Sequence, residues 1–141
     1  MSSILWGKFR AALGDGHPYT ATDLNNLAGL LSDQRRFDEA APLYNRALEI
    51  RQKVFPKDHP LIAKCLNGIA ELDRATGKYN QARSVLRRAI AIQEKSLGPQ
   101  HPDLATSFEL AGSLYFDAGA YREARQYFQK ALSIKEKALD T

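Results

Sequence analysis

The apolar residues of this chain fall at helical spacing in pairs of bursts that recur along the sequence. The first two bursts consist of Leu24, Leu27, Ala28 and Leu31, followed by Ala40, Leu43, Tyr44, Ala47 and Leu48. Spacings of three and four residues place apolar side chains on one face of an α-helix. The pattern therefore predicts two amphipathic helices joined by a short turn.

The same pattern returns twice at a fixed step of 42 residues. The stretch HPYTATDLNNLAGLL begins at His17, HPLIAKCLNGIAELD at His59 and HPDLATSFELAGSLY at His101. Positions that keep their identity in all three copies are, in the first copy, His17, Pro18, Ala21, Leu30, Ala40, Ala47, Ile50 and Lys53. Because one helix pair cannot bury both of its apolar faces, such repeats stack on one another. The predicted fold class is all-α, a right-handed α-solenoid of three stacked helix-turn-helix repeats.

The repeat register also predicts the domain organisation. Residues 17–58, 59–100 and 101–141 are the three repeats of one continuous domain, and residues 1–16 are an N-terminal capping helix or half-repeat. The N-terminal prediction rests on an apolar stripe that aligns with the second helix of a repeat. Its members are Leu5, Phe9, Ala12 and Leu13. Part of this segment could instead be a leader that precedes the repeats.

Turn signals separate the predicted helices. Gly77 and Gly119 stand between the two bursts of the second and third copies, where glycine can take the left-handed conformation that ends a helix. Arg35 replaces that glycine in the first copy, so its turn should be more strained. Each His-Pro pair marks the start of a first helix, because proline suits the first helical position.

The three histidines do not predict a metal site or a catalytic centre. Equivalent residues of successive repeats are separated by at least one helix-packing distance of about 8–10 Å, whereas metal ligands converge within about 2 Å of one ion. Cys65 has no nearby histidine or second cysteine, so we interpret its side chain as a buried thiol. We therefore predict no catalytic residues, no metal, no cofactor and no enzyme activity.

Composition and charge narrow the function classes. The chain of 141 residues is 44% hydrophobic, which is ordinary for a globular domain, and its single cysteine excludes an internal disulfide. The net charge of +4 is spread along the chain rather than clustered, which argues against a nucleic-acid binder. No apolar run is long enough to span a bilayer. We predict a cytoplasmic protein that binds neither nucleic acid nor membranes.

The repeat motifs resemble the tetratricopeptide repeat (TPR). The first helix of each copy reads Leu24-x2-Leu27-Ala28, Leu66-x2-Ile69-Ala70 and Phe108-x2-Ala111-Gly112. The second helices pair Ala40 with Tyr44, Ala82 with Leu86 and Ala124 with Phe128. The small residues of the first helix allow close approach of the large residues opposite. The long period and the His-Pro starts are similar to the repeats of kinesin light chains and their bacterial relatives.

The resemblance implies a protein-protein interaction scaffold that binds a peptide or protein segment in a concave groove lined by the first helices. The groove residues that it implies are Thr22, Asn25, Lys64, Asn67, Glu71, Arg74, Glu109 and Ser113. Asn25 and Asn67 are the strongest candidates, because an amide can both donate to and accept from a peptide backbone. Lys64 and Arg74 favour a partner with an acidic segment, whereas solvated surface charge is the alternative.

The C-terminal end of the array predicts a second function. No closing helix follows the third pair before Thr141, so an apolar end is expected at Tyr127, Phe128, Leu132 and Leu139. Either the sequence belongs to a longer array, or this end associates with another copy. The alternative function is therefore a structural module that stacks end to end, and both monomer and dimer are open.

Overall fold

The computed structural model describes residues 18–139. In order, their helices are α1 (Pro18–Asp33), α2 (Phe37–Val54), α3 (Pro60–Ala75), α4 (Tyr79–Ser96), α5 (Pro102–Asp117) and α6 (Tyr121–Leu139). No strand occurs within this range. The helices form three pairs, and each pair contains one first helix and one second helix of the predicted repeat. The helix predicted over residues 1–16 lies outside the described residues.

The chain divides into two compact units, residues 1–57 and residues 58–141. The first unit contains the pair α1 and α2, which pack against each other through apolar residues that recur at helical spacing. Its buried side chains include Leu24, Ala28, Leu31, Ala40, Tyr44 and Ala47. All six belong to the bursts from which the helices were predicted.

The second unit contains two consecutive helix pairs that share a core. Within it, α3 packs against α4, α5 packs against α6, and α4 packs against α5. The best-defined cluster consists of Leu104, Ala105, Phe108, Ala131 and Ile134, with Ile90 of the preceding pair packed against it. Burial between consecutive pairs is the arrangement that stacked repeats require.

The three turns within the pairs share one hydrogen-bonding pattern. Lys78 N donates to Asp73 O at 2.7 Å, and Gly77 N donates to Arg74 O at 3.2 Å, which defines a Schellman motif. The glycine has φ +81°, and Gly119 has the same value in the third pair. Both glycine predictions are confirmed.

Arg35 takes the place of this glycine in the first pair and still adopts the left-handed conformation. Its φ is +63°, and it is the only residue other than glycine with positive φ in the described chain. The motif is kept, because Arg36 N donates to Leu31 O at 2.8 Å. A side chain costs about 1–2 kcal/mol in this conformation, so the prediction of a strained turn is confirmed.

The His-Pro pairs begin the first helices of the second unit. His59 and His101 are extended N-cap residues, and the following prolines occupy the first helical turn. The sequence did not predict that each imidazole also caps its helix. Nδ1 of His59 accepts from Leu61 N, and Nδ1 of His101 accepts from Asp103 N, both at 3.1 Å. His17 lies outside the described residues.

The third pair shows why its first helix carries a glycine. A Cβ atom added at Gly112 would lie 2.8 Å from the ring of Phe128. This separation is shorter than carbon atoms tolerate, so the close approach of α5 and α6 depends on the missing side chain. The expectation that small residues face large ones across a pair holds here.

Candidate functional site

The predicted contact residues of the second unit lie along α3 and α5, which we call its first-helix face. Lys64 and Glu71 are exposed, whereas Asn67 and Arg74 are half-buried on α3. On α5, Glu109 and Ser113 are half-buried. The face is therefore polar, but several of its side chains are already engaged with one another.

Two direct contacts join α3 to α5 on this face. Nε of Arg74 lies 2.6 Å from Oδ2 of Asp117. Nδ2 of Asn67 donates to Oγ of Ser107 at 2.8 Å. Arg74 and Asn67 therefore brace the two helices, and a ligand that used either side chain would have to displace or share these contacts.

The contact of Asn67 belongs to a buried polar network that sequence reasoning missed. Oγ of Ser107, which is fully buried, donates to Oε1 of Gln93 at 2.5 Å and accepts from Asn67. Gln93 lies on α4, so the network ties three helices together. One feature of the sequence could have indicated the network. Gln93 follows the recurrent isoleucine, and the residues at this position in the other copies are the charged Arg51 and Lys135.

In the first unit, the candidates Thr22 and Asn25 lie on α1. Thr22 is exposed, and its hydroxyl accepts from Nη2 of Arg51 at 3.2 Å. Asn25 is half-buried, and its Oδ1 atom is buried without a hydrogen-bond partner. Oδ1 of Asn67 has the same property. The two asparagines thus share both their repeat position and an unsatisfied acceptor.

Three of the charged residues on the first-helix face of the second unit form ion pairs. Glu109 pairs with Lys135 of α6 at 2.8 Å, and Arg74 pairs with Asp117. Together α3 and α5 carry two basic and five acidic residues. Of the two cations, Lys64 alone has no such partner among residues 18–139, so the face offers little attraction for a strongly acidic ligand.

The third pair carries an apolar groove of about 400 Å³ between α5 and α6. Phe116, Tyr121, Phe128 and Leu132 line this end groove, and all four are exposed. Of the residues predicted for self-association, Phe128 and Leu132 lie in it. The other two lie elsewhere: Tyr127 stacks on Tyr115 with ring centroids 5.5 Å apart, and Leu139 is 86% exposed.

The described residues show no arrangement of side chains that is typical of a metal site or a catalytic site. Among residues 18–139 no group of three or more His, Cys, Asp or Glu side chains could hold a metal ion. Cys65 is buried, and the two described histidines cap helices. No helix in this range is long and apolar enough to cross a membrane.

These features define a helical repeat protein built from helix-turn-helix units. The tetratricopeptide repeat family matches residues 8–53, 24–95 and 61–137, so the chain belongs to this family. The predicted fold class, an α-solenoid of such repeats, is thereby confirmed. Repeats of this family generally mediate protein-protein interactions. A comparison with curated proteins found no match.

Solved structures of kinesin light chain-like TPR proteins are similar to this chain. The crystal structure of BtubC (BKLC) from P. vanneervenii has a TM-score of 0.82 at 25% identity, covering 94% of this chain and 53% of that one. Two structures of the nearly identical TPR-like repeats of a Podosopora anserina putative kinesin light chain also match. The one that carries a single substitution has a TM-score of 0.76 at 24% identity, covering 95% of this chain and 64% of that one. The other has a TM-score of 0.75 at 23% identity, covering 96% and 64%. This chain therefore spans between about half and two thirds of their lengths.

Proposed function

We propose that this chain is a non-catalytic interaction scaffold that binds an extended segment of a partner protein on its first helices. The observation that carries the proposal is the pair of asparagines at one repeat position. Oδ1 of Asn25 and Oδ1 of Asn67 are each buried without a donor. An unsatisfied buried acceptor costs about 1–3 kcal/mol. After a side-chain rotation, a backbone N–H of a segment bound to the first helix of either unit would supply the missing donor there.

Other polar residues of the first-helix face would supply further contacts. Lys64 is available to an acidic residue of the partner, and Ser113 can donate to a backbone carbonyl. Arg74 would contribute only by leaving Asp117, from which it now lies 2.6 Å. The first-helix face thus favours a segment held by its backbone rather than by many charges.

A peptide selection tests this function directly. A phage library of random peptides would be selected against the chain, and the affinity of an enriched peptide would be measured by calorimetry. Asn25→Ala and Asn67→Ala should each weaken binding about fivefold, the loss of roughly one hydrogen bond. The matched control is Asn45→Ala, because Asn45 is exposed on α2.

The selection can contradict the proposal in two ways. Either no peptide is enriched beyond the level obtained with an unrelated helical protein, or the enriched peptide binds both asparagine variants as tightly as the unchanged chain. Thermal melts of each variant are needed alongside, because Asn67→Ala also removes the donor to Ser107.

A second candidate function is head-to-tail association through the end groove, and the repeat register favours it. Phe128 corresponds to Leu86 of the second pair at the 42-residue step. Leu86 is 2% exposed beneath Leu114 and Tyr115 of the third pair, whereas Phe128 is 39% exposed. Leu30 of α1 corresponds to Leu114 and is 55% exposed. The occupant proposed for the end groove is therefore α1 of a second copy.

The mass in solution tests this association. Contact between two different surfaces is not completed by two copies, so the mass measured by light scattering should rise beyond that of a dimer as the concentration increases, toward a ring or an open filament. Leu132→Glu and Leu30→Glu should each give a monomer, whereas Val54→Glu, at an exposed site on α2, should not. A monomer at every concentration contradicts the idea, and so does a dimer that tolerates Leu30→Glu, because that dimer would pair two end grooves.

A further inference from the structure

Three cationic side chains surround a stacked pair of tyrosines where α4, α5 and α6 meet. The rings of Tyr115 and Tyr127 lie 5.5 Å apart at an interplanar angle of 15°. Cζ of Arg83 lies 5.9 Å from the Tyr115 centroid, and Nζ of Lys130 lies 5.4 Å from the Tyr127 centroid. Interaction with the Tyr115 hydroxyl raises the pKa of the Arg87 guanidinium group, so Arg87 also lies beside this pair. We call these five residues the cation-tyrosine cluster.

The three cations of the cluster have no carboxylate partner among the described residues, in contrast to Lys95 and Lys135 of the same helices. Lys95 of α4 pairs with Asp58 at 2.7 Å, and Lys135 of α6 pairs with Glu109 at 2.8 Å. No described carboxylate forms an ion pair with Arg83, Arg87 or Lys130; the hydrogen bond from Arg83 to Asn80 has a neutral acceptor. The carboxylate of Glu94 is near enough to contribute to the raised pKa of Tyr127, but it forms no ion pair with the three cations, so part of their positive charge is left for an external anion.

The charge distribution of the second unit reinforces this difference. Its second helices, α4 and α6, carry nine basic and three acidic residues, whereas its first helices carry two basic and five acidic residues. Long-range attraction would therefore draw an acidic segment toward α4 and α6 rather than toward the first-helix face. This reverses the side on which the sequence placed an acidic partner.

The geometry of the cluster suits carboxylates. Arg83 and Arg87 are four residues apart on α4, so they lie on one face of that helix, and a guanidinium group can bind a carboxylate through two hydrogen bonds. Burial raises the pKa of the Tyr127 hydroxyl, so this neutral side chain does not offset the cations near pH 7. The crevice between these side chains is only about 10 Å³, so a ligand would lie across the surface.

We propose that the cation-tyrosine cluster is a docking site for an acidic segment of a protein partner. This site is independent of the first-helix face, so it stands or fails separately from the peptide function proposed above. Three clustered cations match a short run of glutamate or aspartate residues. A nucleic-acid backbone would call for a longer basic track than the three cations of this cluster provide.

The experiment uses fluorescein-labelled hexaglutamate as the probe and fluorescence anisotropy as the readout. Binding should be measurable at low salt and should weaken as salt is added. Arg87→Gln and Lys130→Gln should each weaken it about threefold, and the double change about tenfold. Arg122→Gln is the matched control, because it removes the same charge from an exposed site on α6 outside the cluster.

Four outcomes would overturn the proposal. The first is that hexaglutamate does not bind at low salt, and the second is that a single-stranded oligonucleotide of equal charge binds more tightly than hexaglutamate. The third is that Arg122→Gln weakens hexaglutamate binding as much as Lys130→Gln does, which would mean diffuse attraction. The fourth is that Lys64→Gln weakens hexaglutamate binding as much, which would place the peptide on the first-helix face. Melting curves of each variant would show that the fold is intact.

Discussion

The turn between α3 and α4 offers a test in which backbone conformation is separated from packing. Gly77 has φ +81°, and a Cβ atom built on it meets nothing within 4 Å. Replacing it with alanine therefore adds no clash and removes no contact. Any change in stability must come from the conformation that the Schellman motif imposes on this residue.

The expected magnitude follows from two opposing contributions. A side chain in the left-handed region costs about 1–2 kcal/mol in the folded state. Alanine has less conformational freedom than glycine in the unfolded chain, which returns roughly 0.5–1 kcal/mol. Gly77→Ala should therefore lower the free energy of unfolding by about 1 kcal/mol.

Gly29→Ala provides a control with the opposite sign. Gly29 lies inside α1, and its added Cβ would lie 3.6 Å from the Tyr44 hydroxyl, an ordinary contact. Alanine is better than glycine in a helix interior by about 1 kcal/mol. Urea denaturation followed by circular dichroism should move the midpoint down for Gly77→Ala and up for Gly29→Ala. Midpoints that moved in the same direction would refute the conformational reasoning.

Three further predictions concern packing, buried polarity and charge. Gly112→Ala should destabilise by about 1 kcal/mol because overpacking against Phe128 outweighs helix propensity, and adding Phe128→Leu should restore stability in denaturant titrations. Ser107→Ala should cost about 2 kcal/mol by the same assay, since Asn67 and Gln93 lose their partner; an unchanged midpoint would contradict this. Burial raises the pKa of the Asp73 carboxyl, despite Lys78, so the ionised form destabilises the fold. Asp73→Asn should stabilise at neutral pH, and melts should lose the gain below about pH 3.9, where the unfolded carboxyl is also protonated.

The helix pairs and their turns could be predicted because they depend on local signals that three copies repeat. Apolar spacing indicated the helices, and the glycines indicated where the first helices end. Arg35 was recognised as a departure because two copies carry glycine at that position. Repetition therefore turned a weak preference at one position into a specific structural expectation.

The candidate site was less predictable because it depends on which polar groups meet across helices. Nothing in the sequence near Asn67 indicates that its side-chain amide donates a hydrogen bond to Ser107, forty residues further along the chain. Arg74 was predicted to line the groove, but its ion pair with Asp117 was not foreseen. Side-chain pairing across helices depends on distances that helical periodicity does not specify, and each such pair removes a residue from the set available to a ligand.

The position after the recurrent isoleucine shows where the copies differ in a way that matters for binding. Arg51 contacts Thr22 of its own pair, Gln93 contacts Ser107 of the next pair, and Lys135 contacts Glu109 of its own pair. Most of the repeated apolar residues are buried, so they contribute little to distinguishing one partner from another. These variable polar residues instead decide which groups on each first helix stay available. We therefore expect partner specificity to depend on the non-repeated positions. Gln93→Arg, which introduces the residue of the first copy, should change the selected peptides more than a conservative substitution of any repeated residue does.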